Sequence, residues 1–117
     1  MTPNKQMVQR YMAAFSRLDH EQVLSCLTDD VEWVIPGHAH LRGKAAFDAE
    51  IENPAFEGAP EIAIARLIEE GDTVVAEGSV TARRLGGEPL SLVFCDVFVM
   101  RDGKIRRLIS YLVPVTP

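Results

Sequence analysis

The second half of the chain is dominated by long runs of strand-forming residues, and this constrains the fold more than any other feature. Ile62 to Glu70, Thr73 to Arg84, Pro89 to Arg101 and Lys104 to Val113 are β-branched or alternating stretches. Gly71-Asp72, Gly86-Gly87 and Asp102-Gly103 separate them. Asp102-Gly103, between Arg101 and Lys104, predicts a two-residue hairpin in which both central residues take positive φ. Runs joined by such short turns pair as an antiparallel meander, which needs a cover on at least one face.

The first half supplies that cover. Thr2 offers a capping hydroxyl and Pro3 sits in the first turn, where its missing N–H costs little. Val8, Tyr11, Met12 and Phe15 follow at i, i+3, i+4 and i+7, so Tyr11 is expected to point at the core. Asp19, with Gln22 three residues on, opens a second helix whose apolar positions are His20, Val23, Leu24 and Leu27, and Thr28-Asp29-Asp30 ends it. A short strand, Val31 to Ile35, runs into a Pro36-Gly37 turn. A third helix from about Lys44 to Glu52 carries Phe47 and Ile51 on one side and stops before Pro54. The expected fold is α+β, with three N-terminal helices packed on a curved antiparallel sheet, in one domain over residues 1–117.

Composition narrows the function classes. Twelve Lys and Arg against 17 Asp and Glu give a net charge of −5, the wrong sign for a phosphate backbone, so no nucleic-acid partner is expected. No apolar run approaches the ~20 residues of a membrane span, and Met1 to Arg10 lacks the apolar stretch of a secretory signal. Cys26 and Cys95 lie far apart inside apolar patterns, without a CxxC. Buried free thiols in a cytoplasmic protein are the expectation. The stretch Ser91–Met100 is apolar on both faces, with Leu92, Phe94 and Phe98 on one and Val93, Val97 and Val99 on the other. Helices cover one face; a second copy of the sheet is the simplest cover for the other, so a homodimer is expected.

Asp96 is the only charge in that stretch and shares a face with Phe94 and Phe98. A carboxylate there is costly unless paired, so Asp96 is expected to be hydrogen-bonded, protonated or both, either as a reacting group or as a structural Asp satisfied by backbone amides. Tyr11 alone reads as a core tyrosine; beside a buried Asp it becomes the second donor of a site for a substrate oxygen. His38 and His40 follow the Pro36-Gly37 turn and have the intrinsic pKa for proton transfer, although solvent-facing loop histidines would look the same. As metal ligands His38-x-His40 lack a third partner, so no metal and no cofactor are expected. Phe15, Trp33, Phe94, Phe98 and Tyr111 are large enough to line a pocket for a small apolar molecule, or simply to fill the core. Trp33 is the inward neighbour of an outward Glu32.

Val8-Gln-Arg-Tyr-Met-Ala-Ala-Phe15, Thr28-Asp-Asp-Val-Glu32 and the turn at Pro36 resemble the start of the ketosteroid isomerase family. Cys95-Asp-Val-Phe-Val-Met-Arg-Asp-Gly-Lys-Ile105 resembles the aspartate-bearing strand and hairpin of that family and of the SnoaL-like polyketide cyclases. The resemblance spans nearly the whole chain and implies the NTF2-like superfamily, a cone of helices against a bent sheet. It also implies that Tyr11 and Asp96 match the isomerase's oxyanion-hole pair of a tyrosine and a protonated aspartate. The isomerase's general-base aspartate, by contrast, is matched by Ile35, which cannot move a proton. The resemblance therefore implies an isomerase- or cyclase-like enzyme acting on an apolar carbonyl compound, with Asp96, Tyr11 and His38 as catalytic candidates, rather than a standard steroid isomerase. The alternative is a non-catalytic binding or assembly domain. Epoxide hydrolysis on this fold uses an Arg two residues before the Asp, where Phe94 stands here.

Overall fold

Helix α1 covers Pro3–Ser16 in the computed structural model, which describes residues 1–115. It begins as the sequence dictates: the Thr2 hydroxyl accepts from the Lys5 N–H at 3.2 Å, and Pro3 occupies the first turn. The spacing of Val8, Tyr11 and Met12 buries all three, while Phe15 is half-buried. Helix α2, His20–Ser25, is capped by the Asp19 carboxylate, which accepts from the Gln22 N–H at 3.1 Å. Strand β1 (Leu27–Ile35) and the four-residue β2 (Ala39–Arg42) flank the Pro36-Gly37 turn, and helix α3 covers Lys44–Ile51. Strands β3 (Phe56–Glu70), β4 (Thr73–Arg84), β5 (Pro89–Arg101) and β6 (Lys104–Pro114) complete the chain.

The six strands form one curved, unclosed sheet in the order β2-β1-β6-β5-β4-β3. The long hairpins are antiparallel as expected, and Asp102 and Gly103 take φ of 52° and 78° in the last turn. Three features correct the sequence reading. One long helix and two short ones stand where three N-terminal helices were expected, and two strands, β1 and β2, precede α3. Strand β1 pairs with β6 in parallel, so the sheet is mixed. Thr28-Asp29-Asp30, expected to end the second helix, belongs to β1, where the pairing with β6 shifts register between Leu27 and Glu32; α2 has already ended at Ser25. The bulge lets polar residues be tolerated inside a strand. A similar shift between Glu57 and Glu61, around Gly58 and Pro60, explains why the first part of β3 does not read as a strand.

The core lies between the helices and the inner face of the sheet. Phe47 of α3, Phe98 of β5, Leu27 of β1 and Ile105 and Leu108 of β6 are fully buried. Each such side chain contributes about 1.5–3 kcal/mol on removal from water. Period-two alternation sends Phe94, Asp96, Phe98 and Met100 inward from β5, while Val93, Cys95, Val97 and Val99 face outward. Among the described residues no helix covers the outer side, where Val93 and Tyr111 are 42% and 49% exposed. Gly78 of β4 stands directly across from Phe94. A Cβ there would lie 2.0 Å from the Ala63 carbonyl oxygen and 2.9 Å from Phe94 Cζ, so only glycine lets β3 and the Phe94 ring approach this closely.

Candidate active site

A cavity of about 850 Å³ opens between α1, α3 and the inner face of the sheet. Its deep wall is built by Tyr11 and Phe15 of α1, Trp33 and Ile35 of β1, Phe94 and Asp96 of β5 and Ser110 of β6. Its mouth is lined by the Pro36–His38 turn, by Glu50 and Ile51 of α3 and by residues leading into β3. The aromatic side chains support one another. Trp33 stacks on Phe47 with ring centroids 4.5 Å apart, Phe15 meets Trp33 edge-on at 6.0 Å, and Tyr11 meets Phe98 edge-on at 5.6 Å.

Asp96 is 8% exposed, and its Oδ1, itself out of reach of solvent, has no hydrogen-bond partner among the described residues. Burial pushes its carboxyl up from 3.8 to about 7, with the Ser110 hydroxyl pulling the other way. The backbone-amide shell that a structural aspartate would need does not satisfy Oδ1. Near neutrality a large share of the carboxyl carries its proton and can donate. Tyr11, 2% exposed, is pushed well above the ordinary phenol value by burial and then by the charge of Asp96, so it remains a neutral O–H donor. Ser110 lies directly across the ladder from Asp96, and its Oγ accepts from the Trp33 indole N–H at 3.0 Å.

His38 sits in the turn, where its N–H donates to the Ile35 carbonyl at 2.9 Å. Its side chain is 59% exposed, lines the mouth, and has Nε2 3.9 Å from Glu50 Oε2. The same Glu50 oxygen accepts from Asn53 Nδ2 at 2.8 Å. The fold thus gathers Tyr11, Asp96 and His38, together with Phe15, Trp33 and Phe94, around one cavity.

Three expected site residues, His40, Phe98 and Tyr111, lie elsewhere. His40 is on β2, where its Nε2 is 2.8 Å from Glu32 Oε2 and holds that carboxylate below its usual range. The four-residue strand turns what reads as a loop histidine into a surface ion-pair partner. Phe98 is completely buried under Tyr11 and fills the core. Tyr111 is on the outer face opposite Cys95, because alternation along β6 sends Ser110 inward and its neighbour outward. Cys26 is buried and Cys95 half-buried, both as free thiols. His20, placed by its spacing on an apolar stripe, instead bridges α2 to α3: Nδ1 is 2.6 Å from Asp48 Oδ1, and Nε2 contacts Glu52 Oε2.

Sequence reasoning missed Ser110 and Glu50. Ser110 shares the parity of Leu108, a signal that places it inward on β6. Glu50 lies between Phe47 and Ile51 on the flank of α3 nearest the core, a position that apolar spacing passes over.

A long helix and two short ones against a curved six-stranded sheet, with the cavity between them, define an NTF2-like α+β fold. Residues 8–108 match the SnoaL-like domain family, and the chain belongs to that family. Among solved structures it is similar to TerC co-crystallised with polyporic acid, at 29% identity and a TM-score of 0.87, covering 96% of this chain and 92% of that one. An NTF2-like protein of unknown function from Burkholderia pseudomallei is 23% identical, with a TM-score of 0.87 and coverage of 97% and 92%. An epoxide hydrolase of the LEH-like type from M. tuberculosis is 22% identical, with a TM-score of 0.84 and coverage of 95% and 83%. No curated protein matches the chain.

Proposed function

We propose that this SnoaL-like protein is a cofactor-independent enzyme that polarises the carbonyl or enol oxygen of a small apolar compound. The observation that carries this reading is the nearly buried carboxyl of Asp96 in the wall of a cavity that Tyr11 also lines. A substrate oxygen between them receives two hydrogen bonds, and these strengthen as negative charge develops on it. The carbon acid next to that carbonyl loses a proton to His38, which returns it to another substrate carbon in an isomerisation or ring closure. Glu50 Oε2 lies 3.9 Å from His38 Nε2 at the same mouth. TerC, co-crystallised with polyporic acid, supports an organic acid or its enol as the ligand class.

The second reading is a binding domain, favoured by Ile35, an apolar side chain in the cavity wall where the isomerase resemblance places a base. Both readings require oxyanion recognition. Phenols of graded acidity therefore test the site first, and affinity is expected to rise with acidity and to collapse in the double variant Tyr11→Phe, Asp96→Leu. Affinity indifferent to acidity, or unchanged in the double variant, overturns the oxyanion site. Deuterium exchange at the α carbon of a bound cyclic enone then separates the two. Exchange lost in His38→Ala identifies the enzyme, and binding without exchange identifies the binder.

The protein is further proposed to act as a homodimer, with the uncovered outer face of β5 and β6 as the contact.

A further inference from the structure

The ionisable side chains that line the cavity are Tyr11, His38, Glu50, Glu52 and Asp96, and among the described residues that line it there is no lysine or arginine. Its two ends differ in charge. At the deep wall, burial favours the neutral, proton-bearing forms of Tyr11 and Asp96. At the mouth stand two glutamates, Glu50 of α3 and Glu52 just after it. Glu52 is 59% exposed and already meets the His20 imidazole. The Glu50 side chain is only 23% exposed and has no lysine or arginine partner among the described residues. Its Oε2 accepts from Asn53 Nδ2 at 2.8 Å, while His38 Nε2, at 3.9 Å, lies beyond hydrogen-bond reach. A carboxylate has room for about four hydrogen bonds, and one withdrawn this far from water is costly without a cation.

We propose that the substrate carries a protonated amine, and that Glu50 is the specificity-determining residue that accepts from this ammonium at the mouth while the enol or phenol oxygen lies against Asp96 and Tyr11. This rests on the oxyanion reading of the deep end. An ammonium brings three donors and a positive charge, which matches both the unused acceptor sites of Glu50 and its missing counter-ion. The net charge of −5 on the chain acts in the same direction, because it draws cations towards the protein. A ligand ending in a carboxylate would instead meet Glu50 and Glu52 as like charges. Between the two ends the wall is aromatic, with Phe15, Trp33 and Phe94. The ligand class is therefore a ring compound with a phenolic or enolisable oxygen at one end and an aminoalkyl chain at the other.

Calorimetric titration at pH 6.5 with three sets of phenols tests this, the para chain ending in an amine, an alcohol or a carboxylate and varied in length. At the best length the parent is expected to bind the amine about tenfold more tightly than the alcohol, and the acid more weakly than either. Glu50→Gln keeps the size and an acceptor for Asn53 but not the charge, and should bring the amine-to-alcohol ratio close to one. Glu50→Ala makes the same comparison if the glutamine variant does not fold. Glu52→Gln should leave the ratio within about twofold of the parent's, since His20 already meets that carboxylate. Equal affinity for amine and alcohol in the parent, or a ratio that survives the loss of the Glu50 charge, overturns the proposal. The oxyanion site still stands in that case if alcohol binding collapses in Tyr11→Phe, Asp96→Leu. Phenols that bind the parent no better than this double variant overturn the oxyanion reading and the amine preference together.

Discussion

Tyr11 and Asp96 come from opposite layers of the protein, a helix and the central part of the sheet, and the charge of Asp96 holds the Tyr11 phenol further above its ordinary value. Neither has a cation among the causes of its shift; burial leads for both. Burial therefore favours the neutral, proton-bearing form of each group at one end of the cavity, which suits donation to an anion or a developing oxyanion.

The pH dependence of stability follows from that burial. A carboxyl raised from 3.8 to about 7 binds its proton more tightly when folded than when unfolded. The associated stability is complete below the unfolded value and is lost as pH rises through the folded one. The rise corresponds to at most about 4 kcal/mol between those limits. Asp96→Asn cannot ionise and keeps a similar size, so its urea midpoint should exceed the parent's at pH 8 and approach it near pH 4. A parent that gains on the variant as pH increases would mean an ionised, structurally paired aspartate.

His20 carries a second pH-dependent contribution. Hydrogen bonds to Asp48 and then Glu52 raise its imidazole above 6.5, so the stability it contributes is present below that value and lost as pH climbs through the folded one. His20→Gln should unfold at lower urea than the parent at pH 6, with the gap closing by pH 9. A gap independent of pH would assign the loss to packing rather than to the charged bridge between α2 and α3.

Gly78→Ala places a methyl group 2.0 Å from the Ala63 carbonyl oxygen, a backbone atom that cannot rotate away. β3 has to move off β4, and a loss of about 1–3 kcal/mol is expected from overpacking of this kind. Chemical denaturation measures it. A variant as stable as the parent would show that β3 shifts freely at this point.

The outer face predicts assembly. Sedimentation at micromolar concentration should give about twice the chain mass, because an apolar patch of several hundred Å² is seldom left exposed on a monomer. Tyr111→Glu, on that face and half exposed, should give a monomer with the cavity intact. A parent that sediments as a monomer removes the argument.

Local chemistry determined much of this protein. Turn residues and alternation set the four long strands, and Asp96 is legible as an inward charge because period two is a property of the strand itself. Helical spacing likewise turned Tyr11 inward. Only the tertiary structure decided what these groups meet. Periodicity tells which face a residue occupies, but not which strand lies beside it. The parallel pairing of β1 with β6 brings Trp33 to Ser110, 77 residues away. The path of α3 after β2 places Glu50 near His38 and Asp48 beside His20. The same alternation that makes Asp96 inward makes Tyr111 outward, yet register fixes that assignment only once a partner strand is known. Local propensity acts within a few residues, whereas the cavity is made by contacts between segments distant in sequence, and the favourable burial that selects those contacts exists only after the chain has closed on itself.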